Sequence, residues 1–556
     1  METEHDLAPF TTHEVFNQAT PLQNHNPYLL DAALQEGIAR AGAGWNEPGI
    51  IEFGQVTGRE DVIKLGFQAN KNKPELRTFD RYGHRIDEVE FHPAYHELMR
   101  LGVENQVHSL PWNEAREGAH AARAARHYLL TQIEAGVGCP LTMTFAAAPA
   151  LRAQPEIAKE WLPRITSTQY DPRMRPAPEK AGCLMGMAMT EKQGGSDVRA
   201  NTTRAVPAHA SGPGQQYLLT GHKWFCSAPM CDAFLTLAHT DLGLTCFLVP
   251  RWLPDGTRNR FAIQRLKDKL GNHANASSEI EYQDTSAWMV GEEGRGVPTI
   301  IEMVNHTRLD CVIGSSALMR QAVTQAMHHC THRAAFGKTL KDQPLMQNVL
   351  ADLAIESEAA TTMMMRLAKG YHDATIDDEA AALMRIATAI TKYWVCKRGP
   401  HLVYEALECH GGAGYVEEGI MPRLYREMPL ASIWEGSGNV MCLDVLRAMA
   451  KEPDSIPALL NELDHARGAD RHYDALLERV QDALGDRSDL QYRARTLVEQ
   501  LALLLQACQL LRFAPDYVSA AFCATRLGGD HGHEYGTLPR GADTARIMQR
   551  AYAPCG

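Results

Sequence analysis

The sequence predicts an α+β protein of several domains: a mainly α-helical unit over residues 1–180, a small β domain over 181–291, an α-helical bundle over 292–447 and a further α-helical unit over 448–556. Three observations lead there. At roughly 100–200 residues per domain, a chain of 556 residues divides into about three or four. Apolar residues recur at helical spacing on both sides of a middle stretch in which they come instead in short β-branched and aromatic runs. Gly, Pro, Asp and Asn punctuate those runs as they punctuate strands.

In the first unit Tyr95, Leu98, Met99 and Leu101 precede a second periodic stretch of Ala119, Ala122, Ala125, Leu129, Leu130 and Ile133, set among good helix formers. Residues 47–91 mix Gly, Pro and charge with weak periodicity and carry no assignment. In the β domain, runs at 217–220, 233–237, 246–249 and 279–282 read as strands, the last alternating polar and apolar like a strand with one face on a core. After Pro298 one helical stripe holds Ile301, Val304, Leu309, Val312, Ile313, Leu318, Ala322 and Val323. Another holds Leu345, Met346, Val349, Leu350, Leu353, Ala360, Met363, Met364 and Leu367. These are long bundle helices, and Met363–Met365 reads as core filling. Beyond Lys451, Leu459, Leu463, Leu476, Val480 and Leu497–Leu511 continue the helical pattern.

Composition excludes several classes of function. With 45% hydrophobic and 22% charged residues the chain is an ordinary globular protein. Met1–Asp6 is acidic and polar, unlike a secretory or transit leader, so a cytoplasmic location is expected. Leu501–Leu511, broken by Gln506 and Gln509, is far short of the roughly 20 residues a membrane span needs. The 13 cysteines contain no CxxC pair and read as reduced, buried thiols. The run His328-His329-Cys330-Thr331-His332 has no HExxH or Cys/His framework beside it, so it reads as helix-surface histidine and no metal is expected. A net charge of −12 offers no overall basic footprint for nucleic acid.

Three stretches carry chemistry. In Ala188-Met189-Thr190-Glu191-Lys192-Gln193-Gly194-Gly195-Ser196-Asp197 a glycine pair beside hydroxyls makes a tight loop whose N–H groups, with Thr190 and Ser196, suit a polar ring or a phosphate. Glu408-Cys409-His410-Gly411-Gly412-Ala413-Gly414-Tyr415 lacks the third glycine of GxGxxG and follows a helical pattern, so it is not a Rossmann fingerprint. Its glycines either end that helix or let backbone approach a pyrophosphate. In Ile433-Trp434-Glu435-Gly436-Ser437-Gly438-Asn439 a carboxylate stands next to glycine on a loop, a solvated turn residue or a base.

The first two stretches, extended to Ala200 and to Glu427, match every specified position of two signatures of the acyl-CoA dehydrogenase superfamily, and the third resembles the aromatic-Glu-Gly-Thr segment that holds the superfamily's base. Trp224-Phe225-Cys226-Ser227 resembles the strand that packs on the flavin, and Arg333-Ala334-Ala335-Phe336-Gly337 the bundle motif that reaches the FAD of a neighbouring subunit. The resemblance implies an acyl-CoA dehydrogenase-like fold and non-covalent FAD between β domain and bundle. It implies FAD contacts from Met189, Thr190, Gly195, Ser196, Phe225, Ser227, Arg333, Phe336, Gly411, Gly412, Gly414, Trp434, Ser437 and Asn439. Glu435 is then the base that takes the α-proton of an acyl-CoA, its N–H and a ribityl hydroxyl polarising the thioester carbonyl. The implied assembly is a homo-oligomer, commonly a tetramer.

Phe16-Asn17-Gln18, Pro21-Leu22, Leu266–His273 and the unit after Arg447 are similar to the AidB-type branch, tied to the bacterial response to DNA alkylation. That resemblance implies double-stranded DNA binding through the carboxy-terminal unit and weak dehydrogenase activity. From Lys451 onward one Lys and eleven Arg stand against fifteen acidic residues, a net −3, yet arginine suits bidentate phosphate contacts. Arg493, Arg495, Arg512, Arg526, Arg540, Arg546 and Arg550 either cluster or lie scattered in ion pairs. Trp434 replaces the usual Tyr and Ser437 the usual Thr, which narrows the acyl pocket. The competing expectations are a DNA-binding stress-protection protein with a structural flavin, and an oxidase or monooxygenase on the same scaffold.

Overall fold

The computed structural model describes residues 12–553, so Met1–Asp6 and Cys555 lie outside the described residues. The unassigned segment forms helices Glu47–Thr57 and Glu60–Lys71 and an antiparallel hairpin of β1 (Glu75–Phe79) and β2 (Arg85–Glu90). The hairpin adds two short strands to a unit that is otherwise helical. Its charges neutralise one another, Arg77 with Glu90 and Arg85 with Asp87, so the apolar alternation of a strand is missing from the sequence.

The β domain contains β3 (Met185–Ala188), β4 (Arg204–Pro207), β5 (Gln216–Ser227), β6 (Ala233–Thr240), β7 (Gly243–Pro250), β8 (Phe261–Leu266) and β9 (Ser277–Val290). The sheet runs β3-β6-β4-β5-β9-β7 and curls back on itself because β6 also pairs with β7, while β8 adds to β9. The register of β5 with β9 breaks between Lys223 and Cys226, so Trp224 and Phe225 bulge out of the ladder. Phe225 is left 50% exposed as a result.

Three long helices, Gly296–His332, Pro344–Asp373 and Asp378–Glu408, form the bundle, joined by Gly438–Lys451. One apolar core runs from Tyr28 through the bundle to Ala551, and a second fills the β domain. Met363, Met364 and Met365 are buried in the first core. Leu345, expected on a buried stripe, is 84% exposed at the start of its helix. The histidine run is only partly surface: His328 is buried between Tyr552 Oη and the Thr20 carbonyl, and His329 stacks on His410 at 4.7 Å. No group of side chains suited to a metal occurs among the described residues. The twelve described cysteines are free and buried.

The carboxy-terminal helices pack on the bundle, and ion pairs absorb most of their arginines. Arg526 meets Asp352 and Glu356, Arg550 meets Glu36 and Glu358, Arg512 meets Glu462, Arg493 meets Asp486 and Arg546 meets Asp543. Arg495 reaches Tyr393 Oη, and Arg540 forms no ion pair among the described residues.

The second signature supplies the joint between the three layers. Arg423 donates to the Ile133 carbonyl at 2.7 Å and pairs with Glu134 at 3.4 Å. Glu427 accepts from the Asn272 N–H at 2.8 Å, and Asn70 donates to both acids at 3.3 Å. Removing one partner from such a buried set costs about 3–5 kcal/mol. Arg423→Met is therefore expected to lower the urea unfolding midpoint by an amount equivalent to about 3–5 kcal/mol. Burial and the neighbouring Glu134 push the Glu427 carboxyl up to about 7. The folded chain then binds a proton that the unfolded chain has lost, so this contribution is full below about pH 4.3 and is lost as pH rises through about 7. Glu427→Gln is expected to flatten that fall in thermal melts taken across this window; an unaltered slope contradicts the assignment.

Candidate active site

Between the turn Met428–Ser432 and the helix Gly438–Lys451, Glu435 and Gly436 take positive φ values of 58° and 106°. For a glutamate this costs about 1–2 kcal/mol, so the surroundings must hold it. Lys392 Nζ donates to the Trp434 carbonyl at 2.8 Å and to the Gly436 carbonyl at 2.6 Å. Arg308 Nε donates to the Glu435 carbonyl at 3.1 Å and is itself fixed by Asp444 at 2.8 Å. The Glu435 carboxylate accepts from Thr307 Oγ1 at 2.6 Å. Removal from bulk water pushes this carboxyl up, opposed by the Thr307 bond and the positive charges of Lys392 and Arg308. A base whose pKa lies closer to working pH transfers protons more effectively.

The β domain forms the opposite wall. Glu191, in the first signature, is buried with Lys223 at 2.8 Å and accepts from the N–H groups of Thr202 and Thr203. Burial, which works against the charged carboxylate, is outweighed by Lys223 and these bonds, which hold Glu191 down at about 2. This pair pins the loop from Met189 to Ser196 against β5, where the Thr190 carbonyl also accepts from the Trp224 N–H at 2.8 Å. At Gly195 a Cβ would stand 3.0 Å from the Thr190 side chain, which explains the glycine. Phe225 and Ser227 lie on the same strand, and Trp434 packs against the β-domain core. Through Trp434 the Glu435 turn therefore meets the β domain across the domain boundary. Cys139 stands near both Ser227 and Glu435, but burial pushes its thiol up to about 12, so it is inert as a nucleophile.

Three buried polar atoms, Trp434 Nε1 and the Oδ1 and Nδ2 of Asn275, have no hydrogen-bond partner among the described residues. An exposed aromatic beside unsatisfied donors and acceptors fits a flat ring with a polar edge, as in FAD. Ser437 precedes the helix Gly438–Lys451 without capping it, and Asn439 is exposed in its first turn. Cavities of about 410 and 350 Å³ between the first unit and the β domain are lined by none of the predicted site residues.

The remaining candidates are elsewhere. Phe336 and Gly337, with φ of 52° and 80°, form the tight turn of a small hairpin that leaves Phe336 99% exposed. Asn17 clamps this hairpin, accepting from the Ala334 N–H at 2.7 Å and donating to its carbonyl at 2.9 Å, and Arg333 donates to the Asn17 carbonyl. Arg333 follows Thr307 by 26 residues along a continuous helix, which is about 39 Å. Gly411, Gly412 and Gly414 cap the neighbouring helix at that same far end, where Cys330 Sγ approaches the Cys409 carbonyl at 3.9 Å. A Cβ at Gly411 or Gly412 would meet nothing within 4 Å, so both face open space. One chain thus carries Met189, Thr190, Gly195, Ser196, Phe225 and Ser227 on the β domain against which Trp434 packs, and Arg333, Phe336, Gly411, Gly412 and Gly414 at the far end of the bundle helices. Thr307, Arg308, Lys392 and the Glu191–Lys223 pair were missed as site residues; a lone lysine inside the apolar run 383–396 was the one available signal.

Comparison with known proteins supports the same architecture. Residues 17–172 match the model of the adaptive response protein AidB N-terminal domain. Residues 186–285 match the acyl-CoA dehydrogenase middle domain, and 294–450 the acyl-CoA dehydrogenase C-terminal domain. The chain is 47% identical over 518 residues to AidB of Escherichia coli (strain K12), covering 93% of this chain and 94% of that one. It is 29% identical over 490 residues to acyl-CoA dehydrogenase family member 11 of Caenorhabditis elegans, covering 84% and 78%. Among solved structures, Caenorhabditis elegans ACDH-11 in complex with C11-CoA superposes with a TM-score of 0.83 at 25% identity, covering 99% and 95%. The apo form of Bd2924 superposes with 0.82 at 29% identity, covering 90% and 100%. The chain belongs to the acyl-CoA dehydrogenase superfamily, in its AidB branch, and is an FAD-dependent oxidoreductase acting on CH–CH bonds.

Proposed function

We propose that Glu435 is the base that removes the α-proton of an acyl-CoA, in a site completed by a second copy of the chain. The observation that carries this reading is the Glu435 turn, with a carboxylate on one side and a backbone N–H that makes no hydrogen bond among the described residues. That N–H hydrogen-bonds the thioester carbonyl and stabilises the negative charge that develops there as the proton leaves. The carboxylate receives the proton; Thr307 keeps it aimed at the site. FAD, when bound, supplies the acceptor for the β-hydride. Met189, Thr190, Gly195, Ser196, Phe225, Ser227 and Trp434 would hold the flavin side of it. The Trp434 ring narrows the acyl space beside the base. A relative solved with C11-CoA supports an acyl-CoA as the substrate class.

Arg333, Phe336 and the glycine turn are too far from Glu435 to serve the same dinucleotide, which supports a homotetramer whose FAD sites are shared between neighbours. The buried free thiols support a reducing, cytoplasmic setting. A second reading, duplex DNA binding through residues 448–556 in the response to DNA alkylation, draws on the adaptive-response name of the matched amino-terminal domain. The internal pairing of its arginines leaves few charges for phosphate.

Anaerobic addition of acyl-CoAs is expected to bleach the oxidised flavin, and Glu435→Gln to abolish bleaching with FAD retained; bleaching in that variant removes Glu435 from the mechanism. Phe336→Asp is expected to lower both FAD content and assembly size in sedimentation, and an unchanged tetramer with full FAD would count against the shared site. Duplex binding titrated across salt is expected to be weak and lost on deleting 448–556; tight binding that survives the deletion contradicts the second reading.

A further inference from the structure

Lys392 lies in the middle of the Asp378–Glu408 helix, 1% exposed, and forms no salt bridge among the described residues. A lysine buried without a carboxylate partner is unusual. Its hydrogen bonds all go to the two carbonyls that flank Glu435, those of Trp434 and Gly436. Because peptide bonds are trans and planar, a carbonyl and the following N–H point in opposite directions. Drawing the Trp434 and Gly436 carbonyls onto one ammonium therefore turns the N–H groups of Glu435 and Ser437 the other way. Neither N–H finds a hydrogen-bond acceptor among the described residues. The same contacts enforce the positive φ of Glu435 and set the direction in which its carboxylate leaves the backbone.

We infer that Lys392 is the positioning residue of this active site, holding the Glu435 turn so that its carboxylate and its N–H face the substrate together, and acting as the counter-charge of that carboxylate. The inference rests on the proposed role of Glu435. Arg308 alone cannot replace Lys392, because it reaches the single carbonyl of Glu435 and its charge is already shared with Asp444. The groups that face Glu435 come from several elements: Thr307, Arg308 and Cys311 from the Gly296–His332 helix, Lys392 from its own helix, and Cys139 from the Gly138–Leu151 helix. Cys139 and Cys311 keep their protons because burial raises both thiols. Among these groups Lys392 and Arg308 are the cations, so loss of Lys392 removes one of the two positive charges that favour ionised Glu435.

The test uses FAD-loaded Lys392→Met, Lys392→Gln and Lys392→Arg alongside wild type, with anaerobic flavin reduction by one acyl-CoA followed across pH. Loss of aimed hydrogen-bond donors at such a site typically costs about 10²–10³ in rate. Lys392→Met is expected to lose on the order of 10–100-fold in the reduction rate and to move its pH midpoint upward by about one unit. Lys392→Arg is expected to keep the midpoint near wild type. In substrate-free holo-protein, the infrared band of the protonated Glu435 carboxyl, identified by its loss in Glu435→Gln, is expected to persist to higher pH in Lys392→Met. Lys392→Gln, which keeps one donor without the charge, is measured in its place if Lys392→Met does not accumulate folded, with the same upward shift expected. An unchanged rate, midpoint and infrared titration in the uncharged variant overturns the assignment of Lys392. Failure of wild type itself to bleach overturns the proposed role of Glu435 instead.

Discussion

Three consecutive carbonyls, of Trp434, Glu435 and Gly436, end on two cations buried in the bundle, and the rest of the site depends on that arrangement. Without it, a glutamate in the left-handed region would relax and carry its carboxylate away from the domain boundary. The anchors come from helices 42 and 127 residues away in sequence, so the turn exists only when the bundle is assembled. Asp444 extends the hold, since it binds Arg308 and also Arg385, which reaches Glu452. Arg308 is thus neutralised by an acid that it shares with Arg385, whereas Lys392 is held by backbone carbonyls alone.

The β-domain wall is built on the same economy of paired burial. Glu191 and Lys223 are both fully buried, and the pair fixes a loop that periodicity alone would leave free. In the same domain, the bulge at Trp224 and Phe225 gives up ladder hydrogen bonds and leaves Phe225 half exposed. The Arg423, Glu427 and Asn272 joint then sets how the two walls meet, because it bonds the bundle, the first unit and the β domain at one place. Distances across the site are thus a property of interdomain ion pairs, with the flavin contacts added on top.

Much of this was legible in the sequence, for reasons that differ by element. The strand runs and bundle stripes were visible because their apolar residues keep a period, and the glycine loops because Gly195 and Gly414 sit close to neighbouring atoms and Gly411 takes a positive φ. The β1–β2 hairpin was hidden by its compensating charges, and Leu345 fits a helical stripe although it lies in an exposed first turn. Glu435 was found by resemblance to a family segment. Thr307, Arg308 and Lys392 were not, since periodicity reports that a helix has an inner face but not which inner polar group meets a distant loop. The carboxy-terminal arginines show the converse: their number suggested phosphate contacts, and their partners are acids of the same chain. Asn17 gives a physical reason for the amino-terminal motif, because its side chain clamps the hairpin that presents Phe336.

The most direct test separates proton removal from hydride transfer. Protein whose flavin has first been reduced is incubated with an acyl-CoA in deuterium oxide, and the substrate is examined by mass spectrometry for deuterium at the α-carbon. The account predicts α-exchange by wild type and none by Glu435→Gln. Exchange by the glutamine variant at the wild-type rate, or none by wild type, would contradict it.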